Sequence, residues 1–178
     1  SKNNRFYIKE DFKEISSTLD DAAGEAFDKG AKLLGLGYPG GIKIDEISKN
    51  SKRDFHVFPV SGLGDSLDFS FSGLKTSLKY YLEKNQNWKE NINHIASSYQ
   101  EAIVKTLIDK VKKASLKYKP KSLLFCGGVA CNSRLRDVAE SELNNFKIIF
   151  PSKVYCTDNG AMIAYAGWHR LRLGQKND

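Results

Sequence analysis

The chain of 178 residues is 40% hydrophobic and 28% charged, a balance typical of folded globular proteins that argues against a disordered chain. Its 28 basic and 21 acidic residues give a net charge of +7, which permits a nucleic-acid partner without requiring one. No run of about 18 apolar residues is present, so no membrane-spanning segment is predicted. Three cysteines without a Cys-x-x-Cys pair favour free thiols in a reducing, cytoplasmic compartment over a disulfide framework.

Helices dominate the predicted first two thirds of the chain. Apolar residues at helical spacing predict a helix over residues 18–36, with Thr18 or Asp20 as its N-terminal cap. A single apolar stripe predicts one long helix over residues 88–118. The other predicted elements are strands at residues 6–9 and near 57–58, a half-buried strand over 67–71, and helices over 41–49 and 74–84.

The last third of the chain has the pattern of an α/β fold. Residues 122–126 form a short continuous apolar run, which predicts a strand that is buried on both faces. Residues 146–150 predict a second strand, and helices are expected over residues 132–143 and 158–173. The order strand–helix–strand–helix with short links predicts a parallel sheet with a crossover helix.

The glycine pair Gly127-Gly128 lies between the predicted buried strand and the helix that follows it. In open α/β sheets, ligands bind at the carboxyl ends of the strands. Glycine permits close approach to the backbone, amides at a helix N-terminus favour an anion, and Asn132 can pair with a base or ribose. The alternative is a tight turn with Asn132 as the helix cap, and spacing alone does not decide between the two.

Carboxylates gather in two further places. Asp21, Glu25 and Asp28 share one face of the first predicted helix, and a glycine turn and Asp45 follow it. They either form ordinary surface pairs with lysines, which the pattern favours, or receive the hydroxyls of a sugar. Asp158 begins the last predicted helix, where the pattern favours a helix cap over a cation ligand because one carboxylate does not hold a metal alone.

A lysine-rich stretch spans residues 105–121, where seven lysines accompany the single acid Asp109. Such a stretch is either the solvated face of a helix end or a surface for RNA phosphates. The sequence gives both interpretations about equal weight.

Several longer motifs together resemble one family closely. They occupy residues 18–29, 33–36, 38–41, 67–76, 127–136 and 156–164. In their residues and their order, the motifs resemble those of the bacterial type of the tRNA adenosine threonylcarbamoyltransferases. These proteins were formerly labelled O-sialoglycoprotein endopeptidases or glycoproteases. The resemblance implies an α/β protein of the actin/hexokinase/Hsp70-like (ASKHA) fold, in which two lobes enclose a nucleotide cleft.

The resemblance also implies a reaction. A threonylcarbamoyl group would pass from threonylcarbamoyl-AMP to the exocyclic amine of the adenosine beside the anticodon, in tRNAs that read ANN codons. Carried over by position, Asp28, Gly41, Asp45 and Asn132 are implied contacts of the adenylate, and Asp158 is an implied ligand of one divalent ion, iron or zinc. No catalytic side chain is assigned. The implied partners in the cytoplasm are tRNA, an actin-like paralogue and a small P-loop ATPase, without a membrane.

Family members are roughly twice as long as this chain. The His-x-x-x-His pair and the Ser-Gly-Gly-His-Thr loop of the family have no match here. Residues 1–178 are therefore expected to form the C-terminal lobe of a two-lobe acyltransferase, without the N-terminal lobe and inactive alone. Two other interpretations stay open: an ATPase or sugar kinase of the same broad fold, and a non-catalytic module that assembles with partners.

Overall fold

The computed structural model describes residues 13–60 and 63–174. The predicted strand at residues 6–9 lies outside these ranges. Six α-helices and a two-stranded sheet follow one another as α1 (Ala23–Leu33), α2 (Gly40–Ser48), α3 (Ser72–Lys84), α4 (Ile92–Tyr118), β1 (Ser122–Leu124), α5 (Ser133–Glu142), β2 (Lys147–Ile149) and α6 (Gly160–Arg172). Short 3₁₀ turns occupy Trp88–Asn91, Gly128–Cys131 and Lys153–Tyr155.

Helix α4 is the central helix of the fold and packs against α1, α2, α3 and α5. The predicted apolar stripe is buried in its middle and half-buried towards both ends, and α4 contributes residues to two hydrophobic clusters. The first cluster packs α4 against α1, α2 and α3, and includes the fully buried Tyr99, whose hydroxyl donates to the Ala26 carbonyl at 2.9 Å. Gly30 is required beside it, because a Cβ there would overlap the Tyr99 ring. The predicted long helix is confirmed except for its first turn, which is 3₁₀.

The sheet confirms the predicted parallel pairing with a crossover helix. Ser122 lies opposite Lys147 and Leu124 opposite Ile149, and α5 connects the two strands. Inward-facing side chains of the strands join the second cluster together with α4 and α5. The prediction of burial on both faces is wrong for residues 122–126, because Leu124 is 63% exposed.

The segment before α1 has a different role from the predicted one. Helix α1 begins at Ala23, and Asp20 accepts hydrogen bonds from Ser70 Oγ at 2.5 Å and from the amides of Phe71 at 2.7 Å and Ser72 at 3.2 Å. Asp20 therefore caps α3 and not α1. Burial is the largest single influence on this carboxyl and raises its pKa, but the four hydrogen bonds together outweigh burial and lower the pKa to about 2.

Two predicted strands in this region do not form. Residues 67–71 make a single parallel bridge, between Phe69 and Thr18, through two backbone hydrogen bonds. On either side of the bridge, the Ser16 and Asp20 side chains bind the backbone of Leu67 and Phe71 in place of a longer strand pairing. Residues 57–58 have no strand partner in the described part of the chain, and Phe58 is buried in the first cluster.

Helix α6 differs from the other helices because none of its residues is buried. Ile163 is 75% exposed and Leu171 is 73% exposed. Among the helices of residues 13–60 and 63–174, none has both the length and the hydropathy needed to cross a bilayer.

Candidate functional site

A cleft of about 900 Å³ lies between α1, α2 and the loops that flank α5. Four of the five predicted site residues line it, namely Asp28, Gly41, Asp45 and Asn132. Asp28, Gly41 and Asp45 lie close together in the sequence, and the fold brings Asn132, 87 positions after Asp45, to the same cleft. The fifth, Asp158, does not line the cleft, although its neighbour Thr157 does.

Asp28 joins the first two helices at the edge of the cleft. It projects from α1, and its Oδ1 accepts a hydrogen bond of 2.8 Å from the amide of Gly40, the first residue of α2. A carboxylate at this position satisfies a free helix amide and stabilises the positive end of the helix dipole. Within the described residues Oδ2 of Asp28 accepts no hydrogen bond, so it is available to a donor in the cleft.

Gly40 is the residue that sequence reasoning missed. A Cβ at Gly40 would lie 2.6 Å from Asp28 Cα and 2.8 Å from the Phe27 carbonyl oxygen, whereas one at Gly41 would lie 3.8 Å from Phe27 Cβ. Close packing of α2 on α1 therefore needs glycine at position 40, and Gly41 instead leaves space along the cleft. The Pro-Gly-Gly sequence indicates a turn at this position, but it does not show which of the two glycines makes the close contact.

The N-terminus of α5 is capped from two directions. Asp45 of α2 accepts hydrogen bonds from Ser133 Oγ at 2.8 Å and from the Ser133 amide at 3.1 Å. Asn132 Oδ1 accepts from the Leu135 amide at 2.9 Å, and its Nδ2 donates to Gln100 Oε1 at 2.7 Å. Two of the first amides of α5 are thus occupied by side chains and are not free for an anion.

The cap interpretation of Asn132 is confirmed, and contact with a base or ribose stays a prediction. Asn132 is the helix cap, and it also lines the cleft, with 7% of its surface exposed. Its amide orientation is fixed by Gln100 and Leu135, and an Asn amide carries a second Nδ2 hydrogen.

Gly128 of the glycine pair lines the cleft together with the turn that follows it. Gly127 has a φ of 87°, a left-handed conformation that L side chains rarely adopt, and no atom lies within 4 Å of the Cβ position of Gly128. A 3₁₀ turn, Gly128–Cys131, separates the pair from α5. Arg136 holds this turn in place by donating from Nε to the Ala130 carbonyl at 2.7 Å and from Nη2 to the Pro151 carbonyl at 2.9 Å.

The lining of the cleft combines both charges with an apolar floor. The carboxylates are Asp28, Asp45 and Glu46, the amines are Lys49 and Lys153, and Phe27 and Val129 are among the apolar residues. Carboxylates accept hydrogen bonds from ribose hydroxyls, and lysines pair with phosphate. A few polar groups around an apolar cleft of this size are typical of a site for a nucleotide-like ligand.

The acidic stripe on α1 divides into two roles. Lys29 forms ion pairs with Asp21 at 2.5 Å and with Glu25 at 2.6 Å, which confirms the favoured interpretation for these two carboxylates. The hydrogen bonds that Lys29 donates to Asp21 and Glu25 raise the pKa of Lys29. Asp28 does not join this cluster, because it turns to α2 and the cleft.

Three lysines of the 105–121 stretch have partners within the protein. Lys110, only 7% exposed, donates to the Ser66 carbonyl, and burial lowers its pKa. Lys113 donates to the Gly64 carbonyl at 2.6 Å, and Lys112 pairs with a glutamate of α5. The burial of Lys110 contradicts a solvated face at that position, and contact of the stretch with RNA phosphates stays a prediction.

The described residues do not complete a metal site. Nowhere in residues 13–60 and 63–174 do three His, Cys, Asp or Glu side chains converge on one point. Asp158 is exposed. It is also not the cap of α6, because Asn159 Oδ1 accepts the hydrogen bond from the Met162 amide at 3.1 Å.

Comparison with known proteins agrees with the motifs. The family model for tRNA N6-adenosine threonylcarbamoyltransferase matches residues 2–165. Curated proteins of that name are 46% identical in Syntrophus aciditrophicus (171 residues, 94% of this chain and 50% of the relative) and 44% identical in Clostridium perfringens (172 residues, 94% and 51%). One from an Anaeromyxobacter species is 46% identical over 171 residues, 93% of this chain and 51% of the relative.

The chain spans about half the length of the curated relatives it matches. The match itself runs through nearly all of this chain, including every wall of the cleft. The chain therefore belongs to the tRNA N6-adenosine threonylcarbamoyltransferase family.

Proposed function

We propose that this chain supplies the adenylate-binding wall of a threonylcarbamoyltransferase, as the C-terminal lobe of an ASKHA-type fold. The enzyme transfers the threonylcarbamoyl group of threonylcarbamoyl-AMP to the exocyclic amine of the adenosine beside the tRNA anticodon, and AMP leaves. The single observation that supports this most strongly is the convergence of Asp28, Gly41, Asp45 and Asn132 on one cleft. Motif resemblance alone points to the same four residues.

Each residue has a physical role in the proposed complex. One oxygen of Asp28 accepts a hydrogen bond from the Gly40 amide, which already fixes the side chain. Its other oxygen accepts a hydrogen bond from a ribose hydroxyl without a further loss of side-chain entropy. Gly41 has no side chain, which lets the nucleoside approach α2. Asp45 fixes the start of α5 and thereby the position of Asn132, whose second Nδ2 hydrogen is offered to the adenylate.

Asp158 remains a proposed ligand of a divalent ion, iron or zinc. The described residues supply no further ligands beside it, so no step of the reaction is derived through the ion. We also propose the cytoplasm as the compartment, which the three free cysteines support. The proposed partners are tRNA, an actin-like paralogue and a P-loop ATPase, and the remaining lysines of the 105–121 stretch are proposed contacts of tRNA phosphates.

A binding experiment tests the role of Asp28. The Asp28→Asn variant retains an acceptor for the Gly40 amide but loses the charge, so its affinity for a non-hydrolysable threonylcarbamoyl-AMP analogue should fall about tenfold. Asp21→Asn is the matched control, because it makes the same charge change on the same helix, next to Lys29 and outside the cleft lining. Equal affinities of the two variants in titration calorimetry would count against the proposed site.

A transfer experiment tests the reaction. This chain is substituted for the matching half of the Syntrophus relative, and threonylcarbamoyladenosine in tRNA is measured by nucleoside mass spectrometry. Folding of the chimera is checked by circular dichroism against the parent relative. Transfer above background supports the proposal. ATP hydrolysis without transfer would support the kinase-like alternative, and stable complexes with partners without adenylate binding would support an assembly module.

A further inference from the structure

Two cysteine side chains meet at the side of the cleft. Cys131 ends the 3₁₀ turn that follows the glycine pair, and Cys156 directly follows the turn Lys153–Tyr155. The Lys153 carbonyl accepts hydrogen bonds from both residues, from Cys131 Sγ at 3.5 Å and from the Cys156 amide at 3.2 Å. Residues 25 positions apart in the sequence are thus adjacent in space.

Arg136 fixes the two segments relative to each other. Its Nη2 donates to Cys156 Sγ at 3.7 Å and to the Pro151 carbonyl at 2.9 Å, while its Nε donates to the Ala130 carbonyl beside Cys131. A guanidinium next to a sulfur stabilises the thiolate. One side chain therefore both positions the two cysteines and supplies positive charge between them.

The environments of the two sulfurs differ. Cys131 is partly exposed in the cleft lining, whereas Cys156 is 2% exposed. Burial raises the pKa of the Cys131 thiol, and the neighbouring Cys156 side chain raises it further. The shared Lys153 carbonyl and the Arg136 side chain place the two cysteines on adjacent segments. Cys131 is the thiol that an oxidant can reach, and Cys156 is the thiol beside it.

We propose that Cys131 and Cys156 form a dithiol that a small-molecule disulfide oxidises to an intramolecular disulfide in the wall of the cleft. The Cys131 thiolate attacks one sulfur of the small disulfide and releases one thiol. Cys156 then attacks the Cys131 sulfur of the mixed disulfide and releases the second thiol. Two protein thiols and one disulfide thus give one protein disulfide and two small thiols, and no other oxidant is needed.

The bond would join two turns that both line the cleft, Gly128–Cys131 and Lys153–Tyr155. It closes a loop of about 25 residues, which should raise the midpoint of thermal unfolding by roughly 5–10 °C if the bond is unstrained. Because reaction begins from a thiol with a raised pKa, the rate of oxidation should increase between pH 7 and pH 9.

The test uses the full chain with Cys126→Ser, which removes the exposed third thiol and leaves the pair intact. The protein is incubated with oxidised glutathione, unreacted thiols are blocked, and peptides are mapped by mass spectrometry. The expected result is a peptide that joins Cys131 to Cys156, loss of two blockable thiols per chain, and reversal by dithiothreitol. The additional variant Cys131→Ser is the control and should give no intramolecular link.

Two outcomes would overturn the proposal: retention of both thiols after a reference dithiol peptide is fully oxidised, or glutathione adducts without the internal link. The link is detected without any adenylate, so its absence is distinguishable from failure of the proposed transferase function. Folding of the tested variant is confirmed by its thermal unfolding before oxidation.

Discussion

From the packing of α2 on α1 we predict that alanine substitutions at two adjacent glycines have opposite effects on stability. In Gly40→Ala, the new methyl group would lie 2.6 Å from Asp28 Cα and 2.8 Å from Ala31 Cβ. These atoms belong to a rigid helix and cannot turn away, so α2 has to move off α1. The backbone of Gly40 itself is not in the left-handed region, so the penalty is steric and not conformational.

The magnitude follows from two contributions. Overpacking of a tight contact costs about 1–3 kcal/mol. Displacement of α2 also lengthens the charge-assisted bond between the Gly40 amide and Asp28, whose loss costs about 1.5–3 kcal/mol. Because the surrounding structure relaxes partially, the two costs do not add in full, and the free energy of unfolding should fall by about 3 kcal/mol. With a urea slope of about 2 kcal/mol/M, the unfolding midpoint should fall by about 1.5 M.

Gly41→Ala is the matched control on the next residue. Its methyl group would make an ordinary contact of 3.8 Å with Phe27 Cβ, and alanine favours the helix by up to about 1 kcal/mol. Urea unfolding followed by circular dichroism at 222 nm should therefore show a midpoint at or above that of the unmodified chain. Equal midpoints for the two variants would refute the assignment of the close contact to Gly40.

Three further substitutions test hydrogen bonds of the fold. Tyr99→Phe removes the buried bond to the Ala26 carbonyl and should lower the free energy of unfolding by about 1 kcal/mol in urea titrations. Asn132→Ala removes the α5 cap and the Gln100 bond, which should cost about 1–2 kcal/mol by the same assay. Asp20→Ala should cost about 1 kcal/mol at pH 7, a value reduced for the exposure of this carboxylate. Because the folded-state pKa of Asp20 is lowered to about 2, that difference should be complete above about pH 4 and disappear as the pH falls through about 2 in unfolding curves measured across this range.

Local patterns were enough to predict most of the elements. Helix α5 and strand β2 lie within one residue or so of their predicted bounds, because apolar periodicity and the turns around it are properties of neighbouring residues. The predicted strand over residues 67–71 failed for the opposite reason. The segment has the alternating pattern of a strand, but its backbone is bound by Asp20, about 50 residues earlier. A local sequence pattern cannot predict a partner at that distance.

The candidate site was predictable in its residues but not in its geometry. Motif resemblance pointed to Asp28, Gly41, Asp45 and Asn132, and the fold gathers all four. Spacing could not reveal that the Asp45 carboxylate binds the start of α5, 88 positions away. The burial of Lys110 could not be predicted either, because lysines are almost always exposed and the sequence pattern does not mark the exception.

The carboxylates of Asp20, Asp28 and Asp45 each secure the beginning of a helix to which they do not belong, α3, α2 and α5 respectively. The first turn of each helix is thus stabilised partly by a segment far away in the sequence, so its full stability requires that this segment is in place. Fraying of these helix ends is thereby coupled to separation of packed elements. Such non-local contacts favour cooperative folding over early formation of the separate helices.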